Sequence, residues 1–420
     1  MEVLSIGEKI KRTRIYKGLT LKDVCGSEIS VSKLSCIENG KIAPEDWVLK
    51  YLSSKLDINL EYLEKSVEDQ IKTNLEKLLS NPDVEDYEEK LEYNLEMAER
   101  YEYYELSFYI MHLIFDYLLK VNDVKRIQEM LGKYYDLCNN SSDKSKRLIY
   151  YMDVARFFYQ NEEYFQSANY FNNVIKSIKD SEEKNYIMLG ESIFGEALCN
   201  LMLKNYQKAY EIAINLNEIF PYIEDKLKKA KMYHMMALLS LRMDNGKFEF
   251  YEKKSNEMYD DNNNEYKAEA IFNYATNMFE MNANSKAIEY IKNAIDIFPK
   301  EDEEKFVNFM LLIIEELVNN ETVDLARELI EDVLNISIKL NNLKFIEKSY
   351  YLKSKILKKQ NDLLSSEMYM NLSLDALAKF GSKRQIYERY MEMGNMYYDI
   401  GSIKESLKYF TLAINIQKKL

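Results

Sequence analysis

The sequence is short of residues that interrupt helices, with 4 prolines and 11 glycines among 420 residues. So few breakers predict a mostly helical chain, because proline and glycine are the residues a helix interior tolerates least. No stretch alternates apolar and polar residues between turn signals, so strands are not expected. No run reaches the ~18 uncharged apolar residues that a membrane-crossing helix needs. The opening MEVLSIGEKIKRTR lacks the apolar core and cleavage site of a secretion signal. These absences predict a cytoplasmic protein without membrane contact. Histidine occurs only at His112 and His234, each in an apolar helical context that suits a structural role. The four cysteines, Cys25, Cys36, Cys138 and Cys199, show no metal or redox spacing and read as reduced thiols, mostly buried. No H-E-x-x-H, G-x-S-x-G or phosphate-binding glycine loop is present. No catalytic residue, metal site or cofactor is therefore predicted, and the chain does not read as an enzyme.

What is there is charge, unevenly placed. The net charge is −13, which by itself argues against a nucleic-acid partner. Residues 1–62 nevertheless hold 10 Lys/Arg against 9 Asp/Glu, leaving 47 against 61 for the remainder. Lys9, Lys11, Arg12, Arg14 and Lys17 fall within the first 17 residues. Phosphate would repel the acidic body, and the N-terminal module is the part able to approach it.

That module reads as short helices with clear boundaries. Ile6, Ile10 and Ile15 mark a first helix to Tyr16, and Gly18 ends it. Thr20 and Asp23 form a capping pattern for a second helix, with Leu21, Val24 and Cys25 inward. Ser30 caps a third, Val31–Glu38, with Leu34 and Ile37 inward. Asn39-Gly40 is a turn. A fourth spans about Asp46–Leu56 after Pro44, with Trp47, Leu49, Leu52 and Leu56 apolar. Asn59 caps a fifth, with Leu60 and Leu63 inward.

The string IGEKIKRTRIYKGLTLKDVCGSEISVSKLSCIENGKIAP resembles the lambda-repressor-like, or Xre-type, helix-turn-helix. The resemblance implies a five-helix DNA-binding domain over residues 1–63. It implies that Val31, Ser32, Ser35 and Cys36 face the major groove, that Lys33 and the turn at Asn39–Lys41 touch phosphate, and that Arg14 and Glu38 form an internal ion pair. The family often carries Gln where this chain has Leu21. With no Arg, Gln or Asn at the groove-facing positions, bidentate base readout is not available. Contacts to thymine methyl groups and single hydroxyl bonds remain, so affinity is expected from phosphate contacts and dimerisation.

Residues 64–82 read as a linker helix, from Ser66 to Leu79, broken by Asn81-Pro82. Beyond it, small residues recur 12 apart: Ala197/Ala209, Ala275/Ala287, Ser354/Ser366 and Gly394/Ser406. Weaker copies centre on Ala168, Phe250 and Ala326, and residues 83–140 leave room for one or two degenerate hairpins. The spacing of about 40 residues exceeds the ~34 of the repeat it resembles, the tetratricopeptide repeat. That resemblance implies a right-handed superhelix over residues 83–420, an all-α fold whose concave wall is lined by the first helix of each hairpin. It places Phe194 and Leu198, then Phe272, Asn273, Thr276 and Phe279, then Tyr351 and Lys355, and then Met391, Asn395 and Tyr398 on that wall. Aromatics there suit peptide side chains, and Asn suits a peptide backbone.

The two halves together are similar to the peptide-sensing regulators of low-GC Gram-positive bacteria, the Rap, Rgg, NprR, PlcR and PrgX family, and in length to the NprR type. The resemblance implies a homodimer on a two-fold operator in double-stranded DNA. A short quorum-sensing peptide in the groove would shift the two heads. An alternative stays open, in which the repeats engage a response regulator or another protein and modulate a phosphorelay.

Overall fold

The computed structural model describes residues 2–140 and 143–418. It is all-α, with no strand among the described residues. The head contains α1 (Ile6–Tyr16), α2 (Leu21–Cys25), α3 (Val31–Glu38), α4 (Asp46–Leu56) and α5 (Leu60–Glu64). Each start follows from local chemistry. Ser5 with Glu8, and Thr20 with Asp23, form reciprocal capping boxes. Ser30 accepts from the Lys33 N–H and Asn59 from the Glu61 N–H, which satisfies donors that a helix start leaves free. Gly18, at φ +67°, turns the chain after α1. Ile10, Val24, Leu34, Ile37, Leu52 and Leu63 belong to a core that the five helices enclose by themselves.

Two apolar residues of the head depart from their expected places. Ile15 and Trp47 are exposed. Val48 fills the core position on α4, in line with Leu52 and Leu56 one and two turns on. Trp47 instead donates its indole N–H to Glu45 at 2.5 Å and lies under Lys33.

The head is not loosely tethered. Lys9 is almost fully buried, and its ammonium donates to the carbonyls of Tyr62 at 2.7 Å and Lys65 at 2.6 Å. Ahead of α1, the Leu4 backbone donates to and accepts from the Gln70 amide, and Val3 N–H donates to the Tyr93 hydroxyl. Val3 packs into a second core with Val67 and Ile71, separate from the head's own. The segment before α1 therefore straps the head to α6 (Val67–Ser80) and α7 (Tyr87–Arg100). Ser66 caps α6, the helix expected as the linker.

Hairpins follow. They comprise α8 (Tyr104–Val121) with α9 (Val124–Asn140), α10 (Lys144–Gln160) with α11 (Tyr164–Lys179), and α12 (Tyr186–Met202) with α13 (Tyr206–Ala213) and α14 (Leu216–Ile219). Compactness divides the chain here, into Met1–Ile219 and Phe220–Leu420. The second unit pairs α15 (Lys226–Met243) with α16 (Phe248–Met258), α17 (Asn264–Glu280) with α18 (Asn284–Ile297), and α19 (Glu303–Asn319) with α20 (Val323–Lys339). It continues with α21 (Leu343–Lys359) and α22 (Leu363–Leu377), then α23 (Lys383–Asp399) and α24 (Ile403–Gln417). The turns pass through left-handed residues such as Asp244, Asn282, Asn361 and Gly401. Asn and Asp tolerate that conformation, so the chain makes tight turns with little glycine.

The small residues close the hairpins. Ser366 Oγ donates to the Ser354 carbonyl at 2.9 Å, and Ser406 Oγ to the Gly394 carbonyl at 2.9 Å. The same bond joins Ser167 to the Ala155 carbonyl at 2.8 Å, so the centre of that repeat is Ser167 and not Ala168. The repeat expected at Phe250 is also shifted by one residue: Phe250 is exposed and Tyr251 is buried. Without a small residue at that point, the sequence offered no marker for the register.

Two stability predictions follow from this packing. A Cβ on Gly7 would lie 2.3 Å from the Ile37 carbonyl oxygen. Backbone cannot yield as a side chain can, so Gly7→Ala should lower head stability by about 1–3 kcal/mol. Trp47 is the only tryptophan, so urea unfolding followed by its fluorescence reads the head directly, and an unchanged midpoint would contradict the close approach. In the second unit, the His234 ring packs against Tyr274 with its Nδ1 buried and unpartnered. Burial lowers the imidazole pKa from its ordinary 6.5 to about 3. The folded chain then keeps it neutral, while the unfolded chain takes up a proton below pH 6.5. Stability should therefore fall as the pH drops below that value, by up to about 1 kcal/mol per pH unit. Circular-dichroism melts of wild type and His234→Phe at pH 7 and 5.5 should show a smaller acid loss in the variant.

Candidate functional site

The structure brings the groove-facing candidates of the head together on α3. Val31 and Ser32 are exposed, Ser35 and Cys36 are half-buried, and Lys41 stands exposed in the turn beyond. Ser30 fixes the first turn of α3, and Leu34 and Ile37 anchor its opposite side. Behind it, Arg14 forks onto both carboxylate oxygens of Glu38, at 2.7 and 2.9 Å, and donates to the Leu19 carbonyl. This mostly buried pair ties α1 to α3 and to the turn before α2, the structural role expected of it.

The basic cluster of the first 17 residues is more engaged than its sequence suggests. Lys9 is buried under the head and Arg14 is committed to Glu38. Arg12 pairs with Glu2, and Lys17 lies 3.6 Å from Asp57. The cations around α3 are Lys33, Lys22 on α2, Lys41, and Lys11, whose ammonium reaches Asn39 at 3.5 Å. Lys33 is held by Glu45 at 3.1 Å. Glu45 has its pKa lowered by hydrogen bonds from Trp47 and then Lys33. A phosphate would compete with Glu45 for Lys33. Charge counting could not show this, because the pairing spans the turn between α3 and α4.

The candidates on the hairpins divide between the two units. Phe194 and Leu198 are half-buried on α12 in the first. In the second, Phe272 and Thr276 are half-buried on α17 with Asn273 exposed beside them, and Phe272 packs edge-on against Phe309 of α19. Phe279 was expected on the groove wall but is buried core; it lies two turns beyond Phe272, on the face of α17 that packs toward α19. Tyr351 and Lys355 on α21 meet α23 through Glu392: the Tyr351 hydroxyl donates to it at 2.8 Å, and Lys355 lies 3.5 Å away. Arg389 stacks over the Tyr351 ring at 3.8 Å and pairs with the buried Glu347 at 2.8 Å. Burial, and then the Glu392 charge, push the Tyr351 phenol above its ordinary range. Met391 is half-buried, while Asn395 and Tyr398 are exposed on α23.

Sequence reasoning missed a polar set in the first unit. Asp153 is buried on α10, with its Oδ2 2.6 Å from His112 Nδ1 and 2.7 Å from the Tyr134 hydroxyl. Arg156 lies 3.9 Å from Asp116 on α8 and 4.0 Å from Glu191 on α12. Burial and then Asp153 raise the Tyr134 phenol far above its ordinary range. The signal was available. With the repeat centred on Ala155 and Ser167, Asp153 and Arg156 take the wall positions that Asn273 and Thr276 take around Ala275. Among the described residues, no group of His, Cys, Asp and Glu could hold a metal ion, and no helix is long and apolar enough to cross a membrane. The cysteines are free thiols, Cys36 half-buried and the others buried.

No family model and no curated relative matches the chain. Solved structures to which it is similar include the apo form of the quorum sensor NprR from B. thuringiensis, 16% identical over 84% of this chain and 100% of that one, with a TM-score of 0.48. Aspartyl phosphate phosphatase F from Bacillus subtilis is 16% identical over 99% of this chain and 96% of that one, with a TM-score of 0.42. Bacillus thuringiensis PlcR, solved with the peptide PapR7 and DNA, is 17% identical over 60% of this chain and 94% of that one, with a TM-score of 0.36. These likenesses concern fold alone.

Proposed function

We propose that the chain is a cytoplasmic, DNA-binding transcription regulator of the peptide-sensing Rap, Rgg, NprR, PlcR and PrgX family, with no catalytic activity of its own. The observation that carries the reading is the head. It has a self-contained core, and α3 presents Val31, Ser32, Ser35 and Cys36 outward with Lys33 and Lys41 at its margins. In domain terms, residues 1–63 read DNA, 64–82 link, and 83–420 sense and dimerise. Two copies would meet a two-fold operator, because a recognition helix of serine, valine and cysteine discriminates bases weakly on its own. A short signalling peptide would lie along the first helices of the hairpins. Phe272, Tyr351, Met391 and Tyr398 would take its side chains, and Asn273 and Asn395 its backbone, with Thr276 and Lys355 between them. Phe194 and Leu198 are proposed as contacts of the first unit. A second reading, a response regulator or other protein as partner, is favoured by the charged line of Asp116, Arg156 and Glu191. Pull-down with a phosphorylated response regulator tests it, and no capture would reject it.

The regulator reading is tested by gel shift with the DNA flanking the gene, with and without synthetic peptide from a neighbouring short reading frame. A specific shift that peptide alters is expected. Ser32→Glu with Ser35→Glu should abolish the shift while leaving the repeats folded, and retained binding would remove α3 from the interface. Glu45→Gln should act in the opposite sense. Freed of its carboxylate partner, Lys33 becomes available to phosphate, so affinity should rise several-fold and the log–log salt slope should steepen by about one. An unchanged slope would mean that Lys33 does not reach DNA.

A further inference from the structure

The first unit holds a small polar cavity on the side of its hairpins away from the groove wall. Phe194 and Leu198 mark the wall on α12. Glu196 stands between them in sequence, about 160° around the helix from each, and so faces back toward α11. A cavity of about 240 Å³ opens there, lined by residues of α11, α12 and α13. That is below the ~300–1,000 Å³ of sites for drug-sized ligands, so its occupant is small. Among the described residues no cluster suits a metal ion, which leaves an organic occupant.

The floor of the cavity is a carboxylate with few partners. Glu196 is 5% exposed, and Asn172 Nδ2 donates to both of its oxygens, at 3.1 and 3.2 Å. An ionised carboxylate accepts about four hydrogen bonds, so one amide leaves most of its capacity to whatever enters. Beside it Asn200, 1% exposed, donates to the Glu196 backbone carbonyl at 2.8 Å, and its amide oxygen is what it offers the cavity. Asn205 precedes α13 without capping it, and its side chain lines the cavity together with that of Asn169. A floor of acceptors calls for a cationic donor. The rim has the opposite sign. Burial raises the Glu196 carboxyl above its usual range, while the Asn172 bond and then Lys208, Lys176 and Lys179 draw it down. Lys208 lines the mouth, exposed in the first turn of α13. A simple amine would therefore meet three lysines on its way to one carboxylate.

We propose that this cavity binds a free α-amino acid with a polar side chain. A zwitterion satisfies both charges of the site: its ammonium group donates to Glu196 and Asn200 on the floor, and its carboxylate turns outward to Lys208. The amides of Asn169 and Asn205 each donate and accept, which suits a side-chain amide such as that of glutamine. The terminus of a peptide offers only one of the two charges, so the free molecule fits better. The proposal rests on this cavity and stands apart from the regulator reading above.

Isothermal titration calorimetry of the full chain, without DNA or peptide, tests it with L-glutamine and L-asparagine as probes. At least one should bind at millimolar concentration or below, and the absence of binding by both would overturn the site. Two relatives of glutamine separate the charges. L-glutaminamide keeps the ammonium and lacks the carboxylate, and N-acetyl-L-glutamine does the reverse. Each should bind on the order of tenfold more weakly than glutamine. Equal binding of the amide would overturn the role of Lys208 and point to a peptide terminus as ligand, and equal binding of the acetyl compound would overturn the role of Glu196. Glu196→Gln keeps the shape and an acceptor for Asn172, so it should abolish binding without lowering the melting temperature. Lys208→Gln, at an exposed position, should weaken binding on the order of tenfold. Binding that survives both substitutions would place the amino acid elsewhere and overturn the proposal.

Discussion

Each well-marked hairpin of this chain closes where the second helix lays a small residue against the backbone of the first. The bonds from Ser167, Ser366 and Ser406 to carbonyls 12 residues earlier are buried and short. A hydrogen bond of this kind contributes only about 1 kcal/mol net, but its geometric effect is larger. It fixes the rotation of both helices at once. The first helix then has one line of residues facing its counterparts on neighbouring hairpins, and the second helix has another line facing outward. A larger side chain at the contact would turn both helices and exchange wall residues for core. The crowding at Gly394, where a Cβ would lie 2.5 Å from the Phe410 ring, shows how little room the contact leaves.

On that frame the first helices of neighbouring hairpins, besides their apolar packing, are linked by polar contacts between long side chains. Lys348 reaches Glu315, Lys355 reaches Glu392 and Lys358 reaches Asp399. Exposed pairs of this kind contribute little to stability individually. The head is held differently. Val3 and the bonds of Val3 N–H to Tyr93 and of the Leu4 backbone to the Gln70 amide bind it to α6 and α7.

The pattern of capping residues and apolar spacing made the head legible down to individual boundaries. Its exceptions are Ile15, which stays exposed near the end of α1, and Trp47, whose neighbour Val48 takes the core position. In the hairpins, register was readable where a small residue stood at both points. It slipped by one at Ser167 and at Tyr251, where an adjacent alanine or the lack of any small residue misled it. That slip concealed Asp153 and Arg156, because a one-residue shift in a helix moves the predicted face by about 100°.

The sequence by itself determined the all-α character, the capped helices of the head and the recurrence of hairpins. All of these follow from periodicity and from contacts short along the chain. Only the tertiary structure decided which cations of the head are already paired, that Tyr351 and Lys355 are engaged by Glu392, and that Asp153 is buried beside His112 and Tyr134. Those features join residues tens of positions apart, and their spacing depends on how helices rotate against one another. Local pattern does not encode that rotation until the close contacts between helices are in place.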